Sequence, residues 1–390
     1  MVYLDYQATS PMPDAIREVY LEALAGVGNP SSIHQAGQRQ RALLEEAKER
    51  LARLLGCEPI EIILTSGGTE AINTALKGAV WAAQAARGAD TPTTLVSSRA
   101  EHHATLDALE WLEKNEGTEI AWVPIDSEAV LDTDSLEVIV SDHPATMVTT
   151  LLANNEVGSL QPLEDIARIA TGAGVPTHVD AIAALGYIPV DFSALGVTAM
   201  SISAHKVGGP VGVGALVLSR HAPEMSALIH GGDQQRGRSG TLDVAGVVAF
   251  AAALELRERQ RVESSERLRE LRDSLREGLQ SVVPEIVVRG STTDRLPGNL
   301  HITIPDCEGD VLLYLLDQHG IQVSTGSACQ AGVPEPSHVL MAMGLREETA
   351  RGALRFSLGY HTTSEDIDQV VSRFAGVVEQ ARAAGMASGR

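Results

Sequence analysis

Lys206 stands behind His205 and ahead of a run of glycines in "SISAHKVGGPVGVGAL", Ser201 to Leu216. A lysine on a solvated surface needs no such backbone. An amine that must react with a carbonyl has to lose its proton near neutral pH, and burial or a neighbouring cation achieves this. Ser201 to Ser203 reads as the end of a strand, so the amine follows a strand terminus. "PTHVDA" ends another strand in the carboxylate of Asp180, and "TSGGTE" is a glycine-rich turn with Thr69 at a helix N-terminus. Backbone N–H groups there, aided by the helix dipole, suit a phosphate. Phosphate cradle, strand-end carboxylate and strand-end amine are together what pyridoxal phosphate requires. The cradle takes the phosphate, the carboxylate keeps the ring nitrogen protonated, and the lysine binds the aldehyde.

The elements that must position these groups alternate along the chain. "HQAGQRQRALLEEAKERLARLLG" has apolar residues at helical spacing and stops at Gly56, a C-cap. "EIIL" at 61–64 reads as a strand, as do "TLVSS", "EIAWV", "TMVTTLLA", "PTHVD", "AMSIS" and "GALVLS", with helices between most of them. Buried strands separated by helices predict an α/β fold whose large sheet is mostly parallel. Ligands in such sheets bind beyond the carboxyl ends of the strands. From Val244 to Gln280 the pattern predicts two helices in succession, the second charged from Arg257 to Glu277 as a solvated face. "EIVVRG", "GNLHITIP", a helix near Asp310 to His319, and "GALRFSLG" then suggest a smaller α+β domain. The expected division is a large domain over 13–255 and a small one over 1–12 plus 256–390.

Composition narrows the function classes. With 390 residues, a prior of about 150 per domain gives two or three domains. The formal net charge of -21 argues against phosphate-backbone binding, so no direct nucleic-acid partner is expected. The start has no basic n-region or apolar h-region, so no secretory signal is expected. The longest apolar run, Val244 to Leu254, is too short to span a bilayer, and no membrane partner is expected. Three cysteines, Cys57, Cys307 and Cys329, include no C-x-x-C pair, which fits a reducing cytoplasm. Cys57 and Cys307 read as small buried hydrophobes. No H-E-x-x-H or Cys/His ligand spacing appears, and the adjacent pair His102 and His103 has poor geometry for a shared metal, so this chain alone builds no metal site. "GGDQQRGRS", Gly231 to Ser239, imitates a P-loop but has Arg238 where the compact lysine should be.

The motifs "YLDYQATSP", "NPSSIH", "TSGGTEAIN", "AEHHA", "NNEVG", "HVDA", "SAHK", "RSGT", "STGSAC" and "RFSLG" follow in that order over nearly the whole chain. In this the chain resembles the NifS-like cysteine desulfurases, in the class V aminotransferase group of fold-type-I pyridoxal-phosphate enzymes. The resemblance implies that Lys206 carries pyridoxal phosphate and that Asp180 pairs with its ring nitrogen. His102 would stack on the ring and help move protons. Gly68, Thr69, Ser203 and His205 would bind the phosphate, with Thr241 reaching it from a second subunit of a homodimer. Asn155 would contact the ring, and Arg355 would hold the substrate carboxylate with its bidentate fork.

Cys329 distinguishes the chemistry. In "VSTGSACQAGVPEPS" it stands among Ser, Thr, Gly and Pro, which reads as an exposed loop. The resemblance implies that its thiolate takes sulfur from cofactor-bound L-cysteine as a persulfide, leaving L-alanine. The loop resembles the branch that passes sulfur to iron–sulfur scaffolds and tRNA-thiolation enzymes, where Cys329 would also serve as a transient iron–sulfur ligand with a scaffold partner. Two positions depart from the family pattern. Ala183 replaces a glutamine three residues after Asp180, and "QQRGRSGT" is one residue short, which bears on Thr241, Arg236 and Arg238. Alternative readings are a selenocysteine lyase or another aminotransferase-type enzyme of the group, and, from another class, a non-catalytic binding platform.

Overall fold

The apolar runs form short strands, seen in a computed structural model that describes residues 1–88, 91–142, 144–232, 234–326 and 335–387. β1 (Val2–Tyr3) opens the chain and belongs with the C-terminal part. β2 (Ile62–Thr65), β3 (Thr94–Ser98), β4 (Glu119–Val123), β5 (Met147–Leu151), β6 (Thr177–Asp180), β7 (Ala199–Ser203) and β8 (Gly214–Leu218) make the large sheet. Its order is β2-β8-β7-β6-β5-β3-β4. β8 runs antiparallel to both neighbours, and every other pairing in it is parallel. β5, β6 and β7 are buried at every residue, as strands covered on both faces are.

This topology has a direct consequence for chemistry. β2, β3, β5, β6 and β7 all point the same way, because β2 and β7 flank the one reversed strand. Their carboxyl ends therefore share one edge, where the chain continues to Gly68, His102, Asn155, Asp180 and Lys206 respectively. β2 ends the sheet, and its exposed ladder is capped by an amide. Leu64 N–H donates to Gln235 Oε1 at 2.9 Å, and Gln235 Nε2 returns a bond to Leu64 O at 2.6 Å.

The second sheet contains β9 (Val287–Arg289) and β10 (Asn299–Thr303), with β11 (Ile321–Gln322) outside it and β12 (Ala353–Ser357) completing the antiparallel order β12-β10-β9. β11 pairs in parallel with β1. Past β1, Ser357 N–H donates to Leu4 O at 2.8 Å. The segment then crosses to the large sheet, where Ser10 N–H meets His205 O at 2.9 Å and Ser10 Oγ–H meets Lys206 O at 2.8 Å.

Where two helices were expected, one continuous helix runs from Val244 to Val282. No Gly or Pro interrupts "ELRERQRVESSERL", so the change from Ala-rich to charged marks a change of face rather than a break. Val244 to Leu254 is almost wholly buried, after which burial narrows to a stripe that includes Leu268, Arg272, Leu275 and Leu279. The expected boundary at 255/256 thus falls inside one helix. Its N-cap, Asp243, accepts from Gly246 N–H at 3.0 Å. Phe250, Phe356 and Phe374 are among the largest fully buried side chains, in a hydrophobic core that runs across both sheets. Among the described residues no helix is long and apolar enough to cross a membrane.

Gly214 opens β8 against the turn at Gly67, and a Cβ there would stand 2.7 Å from both Gly67 Cα and Ile202 O. Gly214→Ala should therefore overpack the sheet edge and cost about 1–3 kcal/mol. Urea unfolding of the apoprotein checks this, and an unchanged midpoint would refute the close approach.

Candidate active site

The cradle turn is built from a glycine that no other residue replaces easily. Gly67 is the N-cap of the helix Gly68–Arg87, with φ +151° and no side-chain cap. The first amides of that helix therefore have no side-chain acceptor from the cap. A Cβ at Gly68 would strike Ile182 Cδ1 at 2.1 Å and approach Ser203 Cβ at 3.7 Å, so Gly68 and Ser203 face one another closely. Thr69 is exposed one residue further. The turn is braced by Glu70, which accepts from Ser66 N–H at 2.7 Å and pairs with Arg238 Nε at 2.8 Å. Arg238, the residue in the P-loop lysine position, is thus committed to a carboxylate.

Lys206 lies in a single 3-10 turn, Ala204–Val207, closed by Gly208 at φ +82°. Val207 O accepts from Arg257 Nε at 2.9 Å, and the Arg257 guanidinium stacks 3.2 Å from the centroid of the Tyr360 ring. Lys206 Nζ donates to Gln7 O and, at 3.1 Å, to Ala8 O. Burial pushes its amine down to about 8; Arg355 adds to this, while Asp180 and Asp5 oppose it. His205 Nδ1 lies 3.2 Å from Thr9 Oγ1, and burial brings that imidazole down to about 4.

Asp180 ends β6 with Oδ1 accepting from Ile182 N–H at 2.9 Å. Burial lifts its carboxyl to about 6, against the pull of that amide and of Lys206. Beneath it His178 bridges Thr149 Oγ1 at 2.9 Å and Ser201 Oγ at 2.8 Å, a neutral strut that burial holds down to about 3. His102 is the N-cap of the helix His103–Glu116 and lies outside it. Its Nδ1 accepts from Ala104 N–H at 3.0 Å, so the neutral ring carries its proton on Nε2. Burial, then Lys206, lowers it to about 4.

Arg355 on β12 reaches the same edge from the smaller sheet. Its Nη2 bonds Asp5 Oδ1 at 2.8 Å and its Nη1 bonds Asn155 O at 2.8 Å. Its Nε and the Asn155 Oδ1 are buried without a partner among the described residues. The sequence reading assigned no role to Asp5, Gln7 or Glu101, although all three lie in motifs it singled out. Glu101 is buried beside Asp180, with Oε1 accepting from Leu151 N–H and Ser98 Oγ–H at 3.2 Å each. Burial, then the Asp180 charge, raises it to about 8, so it is a neutral acid at pH 7. Ala183 is buried three residues past Asp180. Thr241 is exposed just before the Asp243 cap. Cys329 lies outside the described residues. Cys307 is buried and Cys57 half-buried, its thiol pushed up to about 12 chiefly by burial.

These residues fit pyridoxal phosphate. An uncapped helix N-terminus offers amides to a phosphate, a buried carboxyl sits at a strand end, and an amine whose proton burial has loosened lies within the influence of Asp180 and Arg355. The orphaned Asn155 Oδ1 and Arg355 Nε give a further reason, since buried polar atoms without partners usually have a ligand or water to satisfy.

The class-V aminotransferase family matches residues 2–370. An "IscS-like cysteine desulfurase" from Mycobacterium tuberculosis is 44% identical over 391 aligned positions, covering 100% of this chain and 99% of the relative. A solved "NifS-like protein" superposes with a TM-score of 0.89 at 34% identity, covering 97% of this chain and 99% of that one. A structure described as "SspA in complex with cysteine" superposes with a TM-score of 0.79 at 28% identity, covering 92% and 99%.

The lowered Lys206 pKa has a stability consequence. Below pH 8 the amine is protonated in both folded and unfolded chains, and its dehydration weighs against the fold. Between about 8 and 10.5 only the unfolded chain holds the proton, so this penalty fades as pH rises. Lys206→Met apoprotein should thus be more stable than the parent at pH 7, with the difference narrowing above pH 8. Denaturant midpoints across that range test it, and a constant difference would show an ordinary solvated amine.

Proposed function

The chain belongs to the class-V aminotransferase family, and on that premise we propose how its site removes sulfur from L-cysteine. It is a pyridoxal-phosphate-dependent cysteine desulfurase: L-cysteine and an enzyme thiol give L-alanine and an enzyme persulfide. The carbon–sulfur bond of the substrate breaks, its sulfur joins the enzyme sulfur, and the carbon receives a proton. The observation that carries the residue assignment is the Lys206 amine, lowered to about 8 and ringed by Asp180, Arg355 and Asp5.

Pyridoxal phosphate, when bound, supplies the electrophilic aldehyde and the electron sink for this chemistry. Gly68, Thr69, Ser203 and His205 would hold its phosphate, and Thr241 would complete that set from a second copy of the chain. Asp180, the more acidic of two neighbouring buried carboxyls, would carry the negative charge beneath the ring nitrogen, while Glu101 keeps its proton. Lys206 Nζ is neutral in a useful fraction near pH 7, so it can take a proton and return it. His102 holds its proton on Nε2, because Nδ1 serves the helix amide, and that N–H would donate a hydrogen bond to the reacting groups. Arg355 is already fixed by Asp5 and the Asn155 carbonyl, and its buried Nε, without a partner among the described residues, supports a role as substrate carboxylate clamp. Asn155 would meet the ring through its unpartnered Oδ1. Cys329 would accept the sulfur and pass it to an acceptor protein, an iron–sulfur scaffold or a tRNA-thiolation enzyme, in the cytoplasm.

Two measurements check this reading. Cys329→Ala should keep the bound cofactor's absorbance yet form no persulfide with L-cysteine, as read by mass spectrometry alongside an alanine assay. Undiminished persulfide formation would sink the Cys329 role. At position 183 a glutamine would restore a hydrogen bond to a charged oxygen, worth on the order of 1.5–3 kcal/mol, or about one to two pH units. Ala183→Gln should therefore displace the pH titration of the bound cofactor's absorbance; superimposable curves would show that position to be indifferent.

A further inference from the structure

Asn299 opens β10 and is buried, and its side-chain amide joins three parts of the chain. Arg295 Nη2 donates to its Oδ1 at 2.8 Å. A guanidinium can only donate, so this bond fixes which end of the amide is oxygen. Asn299 Nδ2 then donates to Gln7 Oε1 at 2.7 Å and to Glu156 O at 2.8 Å. Arg295 is itself buried, and the same Nη2 donates to Val157 O at 2.9 Å. Glu156 and Val157 lie in the turn after β5 that also carries Asn155. Asn154 Oδ1 closes that turn, accepting from their N–H groups at 2.9 and 3.0 Å. On the other side, Gln7 is held from one strand pair. Ser357, the register partner of Asn299 on β12, accepts from Gln7 N–H through its Oγ at 3.0 Å. Gln7 Nε2 is buried with no partner among the described residues, so Asn299 is the one polar anchor of that side chain among them. The carbonyl of Gln7 accepts from Lys206 Nζ.

A line of contacts therefore runs from Arg295 through Asn299 and Gln7 to the amine. We propose that Asn299 is a positioning residue for the Lys206 amine, its side-chain amide locking the Gln7 carbonyl over Nζ and the Asn155 turn into one register. The inference rests on the reading of Lys206 as the amine that reacts with the cofactor aldehyde. Its physical basis is that a carbonyl supports the protonated amine more than the neutral one. The amine's acidity then depends on how firmly that carbonyl is held. Asn299 belongs to the smaller sheet and acts on the amine through Gln7. Removing its amide would free the Gln7 side chain and deprive Glu156 O and Arg295 Nη2 of one bond each.

The test uses the full chain as apoprotein, comparing the parent with Asn299→Ala, Gln7→Met and the double variant. Acetic anhydride labelling of Lys206 against pH, followed by peptide mapping with the exposed Lys114 as internal reference, reads the amine's midpoint without turnover. Asn299→Ala and Gln7→Met should each lower that midpoint by about one pH unit, the low end of what a hydrogen bond to a charged group is worth. The double variant should lower it no further than either alone, because both changes break the same link. In the holoenzymes, alanine formation from L-cysteine should slow about tenfold in each single variant, since the amine is then misplaced. Gln7→Met keeps the backbone carbonyl and leaves Asn299 bound to Glu156 and Arg295, so it carries the test should Asn299→Ala not fold. A parent-like midpoint in either variant, undiminished alanine formation in both, or additive shifts in the double variant would overturn the inference. Borohydride reduction of the parent holoenzyme that fixed the cofactor on a lysine other than Lys206 would instead overturn the reading on which it rests.

Discussion

Keeping an amine dehydrated yet supported is the constraint on which this site turns. Lys206 is drawn out of water at the carboxyl end of a buried strand, and nothing in its own turn can satisfy it. The N-terminal segment does so. It runs along the smaller sheet and returns to the large one, presenting the carbonyls of Gln7 and Ala8 to Nζ. Neutral carbonyls accept from an amine without adding a full negative charge, which leaves the proton easy to remove. A carboxylate in that place would have held the amine protonated.

The other buried titratable groups follow the same logic. In a poorly hydrated setting each is pushed towards its neutral form: His102, His178 and His301 downward, Glu101 upward. Beside these groups Arg355 and Asp5 form an ion pair at 2.8 Å. In the proposed reading the ionic element lies on the side where a substrate carboxylate would bind, and the neutral groups lie where protons would be exchanged. One reversed strand, β8, makes this possible, because it lets β2 bring the Gly67–Gly68 turn to the edge where β6 and β7 end.

Much of the fold was legible because its signals are local. Gly56 closes its helix in the left-handed conformation, as a C-cap glycine does. The strand runs were readable because strands covered on both faces are continuously apolar. The break read near residue 256 was not real. A change in the width of the buried stripe looks, in sequence, like the end of one helix and the start of another. Only contact with the rest of the molecule shows the axis to be continuous.

The site divides the same way. Residue types at strand ends, with glycines where the backbone must turn sharply, let the sequence alone point to Lys206, Asp180 and the Gly67–Gly68 turn, and the fold brings all three to one edge of the large sheet. Each of those signals is written within a few neighbouring residues. Which partners surround them was decided in three dimensions: Gln7 and Ala8 over Lys206, Asp5 on Arg355, Glu101 beside Asp180. These contacts join residues as much as 350 positions apart. Burial and charge pairing act through space, so groups with no local oddity in the chain acquire their protonation states and partners only once the sheets have closed around them.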